Sequence, residues 1–196
     1  MKDYKIQFQN LPESNILHVN NINDPKTKQF TESLNTDLIV ISGTYLVKKE
    51  ILETKCKIGK VNLHTGLSPY VRGGPNCTNW CISNGQFELI GNTIMWIDEG
   101  IDSGNIILTE QTSFDGNETF FEIHKKVMEH AHSLCLKAIK NIEKDIALNL
   151  PQNTITEGTL FLTRDWNFQA HRNLAKNIKN FRSKINDYSE IPKTIN

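Results

Sequence analysis

The chain has 196 residues, with 22 lysines and arginines against 22 aspartates and glutamates and 38% hydrophobic content. That is enough chain for a domain-sized core, and the balanced charge argues against a general nucleic-acid or anionic-membrane binder, which needs a cationic excess. Ordinary apolar content disfavours disorder; no signal-peptide pattern follows Met1 and no apolar run approaches the ~18 residues of a membrane span, so the chain reads as cytoplasmic. The four cysteines, Cys56, Cys77, Cys81 and Cys135, form no C-x-x-C pair and read as reduced packing thiols.

In chain order, Tyr4, Ile6 and Phe8 alternate as a short strand would. Asp24-Pro25 predicts a helix start, with Asp24 as N-cap and Phe30 and Leu34 as its apolar stripe. The run Leu38, Ile39, Val40, Ile41 suits a parallel strand covered on both faces. A second strand is expected over 59–64, followed by a loop over 65–76 rich in glycine and proline. A short helix over 78–84 and two strands over 89–97 and 105–111 come next, joined through an acidic turn. Thr119-Phe120-Phe121-Glu122 is a capping box, and it opens a helix to about residue 143 with Phe120, Ile123, Val127, Met128, Ala131, Leu134, Cys135, Ala138 and Ile142 at helical spacing. A short strand over 159–162 and a basic helix over 167–185 end the chain. Helix and strand alternate as in α/β folds.

Asn62 and His64 fall at the carboxyl end of the second strand, where open α/β sheets place their ligand sites. Alternation puts both on one face and Leu63 on the other. An imidazole that can take a proton thus stands beside an amide that can donate to a developing oxyanion, a pairing suited to attack on a carbonyl. A carboxylate to orient the imidazole would come from Asp98, Glu99 or Asp102 in the acidic turn, and spacing does not choose among them. His130 and His132 are two apart on a helix and point in different directions, which argues against a metal pair.

Three ordered segments, VNLHTGLSPYVRGG at 61–74, WCISNG at 80–85 and IGNTIMWIDEGIDSGNII at 90–107, resemble the folate-dependent formyltransferases, which act on glycinamide ribonucleotide, methionyl-tRNA and nucleotide-linked amino sugars. The resemblance implies a Rossmann-like α/β fold with a mostly parallel sheet and flanking helices. Residues 1–145 would be a catalytic domain lacking the family's first strand, loop and helix, and 146–196 a C-terminal strand-helix extension. It further implies that Asn62, His64 and Asp102 are the family's Asn-His-Asp set, with His64 as general base, Asn62 as oxyanion stabiliser and Asp102 as orienting acid and proton relay. The co-substrate would be 10-formyltetrahydrofolate, seated against Thr44, Tyr45, Leu46 and Val47 and against Ile97, Asp98, Glu99 and Gly100, with no metal.

Phrases such as LHTGLSPYVRGGPNCTNW and GTLFLTRDWN look most like the sugar branch, so the implied acceptor is an amine on a nucleotide-linked sugar, with neither nucleic acid nor membrane as partner. Arg164, Arg172, Lys176, Lys179, Arg182 and Lys184 read as a solvated helix face, with contact to a diphosphate as the alternative. Met95 stands where the family usually has a second histidine, and Gly66-Leu67-Ser68-Pro69 replaces Ser-Leu-Leu-Pro. These departures and the short N-terminus keep two alternatives open: a non-catalytic relative that binds folate or a protein, and a formyltetrahydrofolate hydrolase. Without the family's first strand the sheet would expose an apolar edge, which predicts either a homodimer that shields it or a protein of low stability.

Overall fold

The computed structural model describes residues 12–181 and 194–195. The elements are α1 (Pro25–Ser33), β1 (Leu38–Ser42), α2 (Lys49–Leu52), β2 (Gly59–His64), β3 (Val71–Gly73), α3 (Cys77–Asn84), β4 (Gly91–Trp96), β5 (Ile106–Gln111), α4 (Phe120–Glu143), β6 (Thr159–Phe161) and α5 (Phe168–Asn177). The main sheet has the order β1-β2-β4-β5, with β1 parallel to β2 and β4 antiparallel to both of its neighbours. β1, β2 and β5 therefore run one way and β4 against them. The mostly parallel sheet with flanking helices expected from the sequence is present, with one reversed strand. β3 and β6 form a small parallel sheet of their own.

Local chemistry sets the helix ends. Asp24 accepts from the Lys26 amide before Pro25 enters α1, Asn76 accepts from the Asn79 amide and starts α3 at Cys77, one residue earlier than expected, and Gly85 closes α3 in the left-handed region. Thr119 and Glu122 complete the capping box of α4. Of its buried stripe, Ala131, Leu134, Cys135 and Ala138 pack on the sheet with Val61 and Leu63 of β2, Ile94 of β4, and Ile107 and Leu108 of β5, while Ile123 and Val127 pack with Cys77, Cys81 and Ile82 of α3 and with Phe87 and Phe181. Burying Val61 and Leu63 under α4 turns Asn62 and His64 to the opposite face, as the alternation predicts.

Three expectations change. The run at β1 is not covered on both faces: Ile41 packs with Val47 and Ile51, but Val40 is 42% exposed. The reason is the position of α4, which lies over β2, β4 and β5 and leaves Val40 without a covering helix among the described residues. The loop at 65–76 contains β3, whose partner β6 comes from the far end of the chain. The final helix is interrupted, α5 passing into a 3-10 turn at Ile178–Asn180 before residue 181 is helical again; the rest of its expected span, with Arg182 and Lys184, and the strand expected at Tyr4 to Phe8 lie outside the described residues.

Residues 146–181 return to the sheet rather than leaving it. Leu150 forms a bridge with Ile106 on the outer edge of β5, β6 pairs with β3, and α5 packs on α3. Leu134 is 2% exposed at the centre of the α4 contact. Leu134→Ala is expected to destabilise the fold by ~2–5 kcal/mol, read as a lower urea midpoint with an unchanged slope. A change of a few tenths of a kcal/mol would mean that α4 is not the main cover of the sheet.

Candidate active site

The cleft-side face of β2 ends in a concave site of about 590 Å³. One rim is the loop Gly43 to Val47 after β1, the opposite rim is the turn after β4, and the wall near His64 is made by residues 73–77 and 161–163. Thr44, Tyr45, Leu46, Val47, Ile97, Asp98 and Gly100 of the expected folate-binding set line this cleft, whereas Glu99 lines a small neighbouring depression of about 170 Å³ with Leu52 and Lys60.

The acidic turn assigns its carboxylates by their partners. Asp98 Oδ1 accepts from the Gly100 amide and the Ser103 hydroxyl, so it holds the turn itself. Asp102 reaches the strand: its Oδ1 accepts from Asn62 Nδ2 at 2.9 Å and lies 3.4 Å from His64 Nδ1, and its Oδ2 accepts from the Gly73 amide at 3.0 Å. Asn62, His64 and Asp102 are thus brought together by β2, β3 and the turn. Asp102 adopts φ 48°, in the left-handed region where Asp is one of the few tolerated side chains.

The other edge of the imidazole is walled. His64 Nε2 is 3.5 Å from Cys77 Sγ, and the Cys77 thiol also lies 3.4 Å from the Gly73 carbonyl. A Cβ at Gly66 would overlap His64 Nε2, so only glycine leaves room for the ring in this position. Thr93, opposite His64 on β4, accepts from the Ser68 amide at 2.9 Å and donates to the Gly66 carbonyl at 2.8 Å, which pins the loop that carries Gly66. Met95 lies opposite Asn62 and is buried.

Electrostatics favour a neutral His64. Burial pushes its pKa below the ordinary 6.5; the Asp102 charge and a main-chain hydrogen bond at Val71 pull the other way, and the Arg72 cation adds to the downward push. Burial, with the Asp102 charge adding to it, pushes the Cys77 thiol far up, so it is protonated at neutral pH. Asn62 carries two amide hydrogens and uses one on Asp102, which leaves a donor beside a neutral imidazole and a carboxylate. That set can polarise a carbonyl and accept a proton from its attacker.

Sequence reasoning missed Gly66, Gly73, Cys77 and Gln152, all of which shape this site. Gln152 reaches the turn from residues beyond α4: its Nε2 donates to the carbonyls of Asp102 and Gly104, each at 2.8 Å. Cys77 could have been found from its place in the turn-rich segment after His64, but no local pattern marks Gln152. Trp80 stacks on Phe161 at 4.3 Å and Trp96 Nε1 donates to the Leu148 carbonyl, both as packing aromatics. His130 bonds Asn92 and Thr112 while His132 is exposed, so the two do not share a site.

A family profile described as formyl transferase matches residues 2–139. The chain belongs to the formyl transferase family. Among curated relatives, the methionyl-tRNA formyltransferase of Clostridium tetani is 36% identical over 123 residues, covering 62% of this chain and 39% of that protein. The methionyl-tRNA formyltransferase of Clostridium perfringens is 29% identical over 180 residues, covering 86% of this chain and 57% of that protein. This chain thus spans between two fifths and three fifths of the length of these relatives. Two solved structures share the fold. A sugar N-formyltransferase from a Shewanella species superposes with a TM-score of 0.61 at 15% identity over 89% of this chain and 73% of that one. A formyltransferase of Anoxybacillus kamchatkensis, solved with UDP-4,6-dideoxy-4-formamido-L-AltNAc and tetrahydrofolate, gives 0.58 at 24% identity over 67% of each chain.

The surroundings of His64 fix the sign of its pH response. Its NMR titration is expected below 6.5. Asp102→Asn, which removes the stabilising anion, should move it further down, and Arg72→Met should move it up. A His64 that titrates at or above its ordinary value in the wild type would contradict the buried, neutral imidazole.

Proposed function

We propose that this chain transfers a formyl group from 10-formyltetrahydrofolate to a primary amine, with an amine on a nucleotide-linked sugar as the acceptor. The observation that carries the reading is the cluster of Asn62, hydrogen-bonded to Asp102, and His64, 3.4 Å from the same carboxylate, in a cleft of a formyl transferase family member. The cleft fits the co-substrate: the rim from Thr44 to Val47 and the turn from Ile97 to Gly100 offer main-chain groups beside apolar Ile41, Val47 and Met95, as a flat heterocycle with polar edges requires. When bound, the folate supplies an activated formyl carbonyl.

The chain's own residues then have separate tasks. Asn62 would donate its second amide hydrogen to the formyl oxygen as negative charge develops there. His64, kept neutral by its burial, would take the amine proton. Asp102 would hold the Nδ1 side and stabilise the imidazolium that forms, and it relays the proton to the departing folate nitrogen. With a lowered imidazole pKa, the acid limb of the rate profile should fall below pH 6.5, and Asp102→Asn should shift it further down.

Two classes of acceptor are in contention. The sugar reading is supported by the fold neighbours and by the equal numbers of acidic and basic residues, which give no electrostatic footprint for tRNA. The second reading, methionyl-tRNA, is favoured by the names of the relatives with the higher sequence identity. Incubation with 10-formyltetrahydrofolate and a panel of nucleotide-linked 3-amino and 4-amino sugars, with methionyl-tRNA alongside and mass detection of products, separates them. A formylated sugar is expected. Formyl-methionyl-tRNA would establish the second reading, formate released without amine would indicate a hydrolase, and folate binding with no product a non-catalytic relative. With the active acceptor, His64→Ala should lower kcat by about 10²–10⁴-fold, and Asn62→Ala by about 10²–10³-fold while folate binding is retained.

A further inference from the structure

Gln152 is the buried polar group that the proposed chemistry leaves without a task. It is 7% exposed and stands in the 3-10 turn at Gln152–Thr154, in the extension after α4 and beyond the residues matched by the family profile. Its Nε2 donates to two carbonyls in the same loop, Asp102 O and Gly104 O, each at 2.8 Å, with Met95 Sδ at 3.8 Å. The loop it grips has little freedom. Asp102 is at φ 48°, and a Cβ on Gly104 would overlap the Trp96 carbonyl, so residues 102–104 are pressed against the end of β4.

We infer that Gln152 is a positioning residue, which fixes the Asp102 main chain from behind so that the carboxylate stands against Asn62, His64 and Gly73. The inference rests on the formyltransferase reading of the site. Two carbonyls tied by one amide side chain set the direction of the 102–103 and 104–105 peptide planes, and the Asp102 side chain follows its own backbone. Asp102 is thereby held at both ends: its carboxylate by β2 and β3, its carbonyl by the extension. A hydrophobic residue at 152 would leave both carbonyls buried without a donor. The loop would relieve that by moving, and a left-handed Asp is free to return to a commoner conformation. The extension therefore acts on chemistry it does not touch.

The test has one readout that needs no substrate. In protein with labelled histidine, the His64 resonance assigned by its loss in His64→Gln, the titration of His64 is followed in the wild type, Asp102→Asn, Gln152→Met and Gln152→Glu. Gln152→Met is expected to move the His64 titration in the same downward direction as Asp102→Asn, and to add nothing in the double variant. Gln152→Glu keeps the shape, and in its protonated form can restore one of the two hydrogen bonds, so its shift should be smaller. Where an acceptor has been found, Gln152→Met should lower kcat by about 10- to 100-fold with little change in the KM for folate, the signature of misplacement rather than lost binding.

A His64 titration unmoved by either Gln152 variant, while Asp102→Asn moves it, would overturn the inference, and so would loss of the fold in both variants, which would make Gln152 purely structural. If the titration shifts as expected and no amine is formylated, the positioning role stands and the functional reading fails. If turnover is present and both kcat and the titration ignore Gln152, the functional reading stands and the positioning role fails.

Discussion

The carboxylate of Asp102 is where separate parts of the chain meet. One oxygen accepts from Asn62 and faces His64, both on β2; the other accepts from the main chain of Gly73 on β3. Neutralising or removing this group would strand an amide, an imidazole and a backbone N–H in a half-buried place, at ~1–3 kcal/mol for each donor left unsatisfied. It would also remove a contact between β2 of the main sheet and β3 of the small β3-β6 sheet. The same contacts that could perform chemistry therefore join the two sheets that flank the cleft.

That junction explains which parts of the molecule were legible in its sequence. Asn62 and His64 could be placed on one face because strand alternation is local and Val61 and Leu63 are strongly apolar. The starts of α1 and α4 and the end of α3 were legible for the same reason, since Asp24, Thr119 with Glu122, and Gly85 act within one turn; the start of α3 lies one residue before the expected one because Asn76 is its cap. Asp98, Glu99 and Asp102 could not be separated by spacing, because the choice depends on where Asp98 spends its hydrogen-bonding capacity: on Gly100 and Ser103 of its own turn. Only the family resemblance pointed to Asp102.

What was not legible is long-range. β3 is three residues in a segment full of turn formers, and it exists as a strand because β6 is laid beside it from residues 159–161. Gln152 sits in a polar stretch with no periodicity, and its value comes from two carbonyls some fifty positions earlier, at sequence separations of 50 and 48. Composition also misled at β1, where four consecutive apolar residues suggested cover on both faces. The helix that would cover Val40 lies over β2, β4 and β5 instead. Pattern reports what a residue tolerates, and neighbours decide what it receives.

The neighbours of His64 crowd both of its nitrogens. Asp102 Oδ1 lies 3.4 Å from Nδ1, Cys77 Sγ lies 3.5 Å from Nε2, and the main chain at Val71 also takes a hydrogen bond from the ring. Nε2 meets the Cys77 thiol, which burial keeps protonated and which has a second acceptor within reach in the Gly73 carbonyl. A neutral ring with its lone pair at Nε2 would accept from this weak S–H donor and be released by one rotation about the Cys77 Cβ–Sγ bond. A stronger donor in that position would hold the lone pair more firmly, and a charged one would oppose protonation outright. A buried thiol is weak enough to yield and small enough to fit beside Gly66, which makes the constraint on residue 77 one of hydrogen bonding to the imidazole and not of the packing of α3 alone.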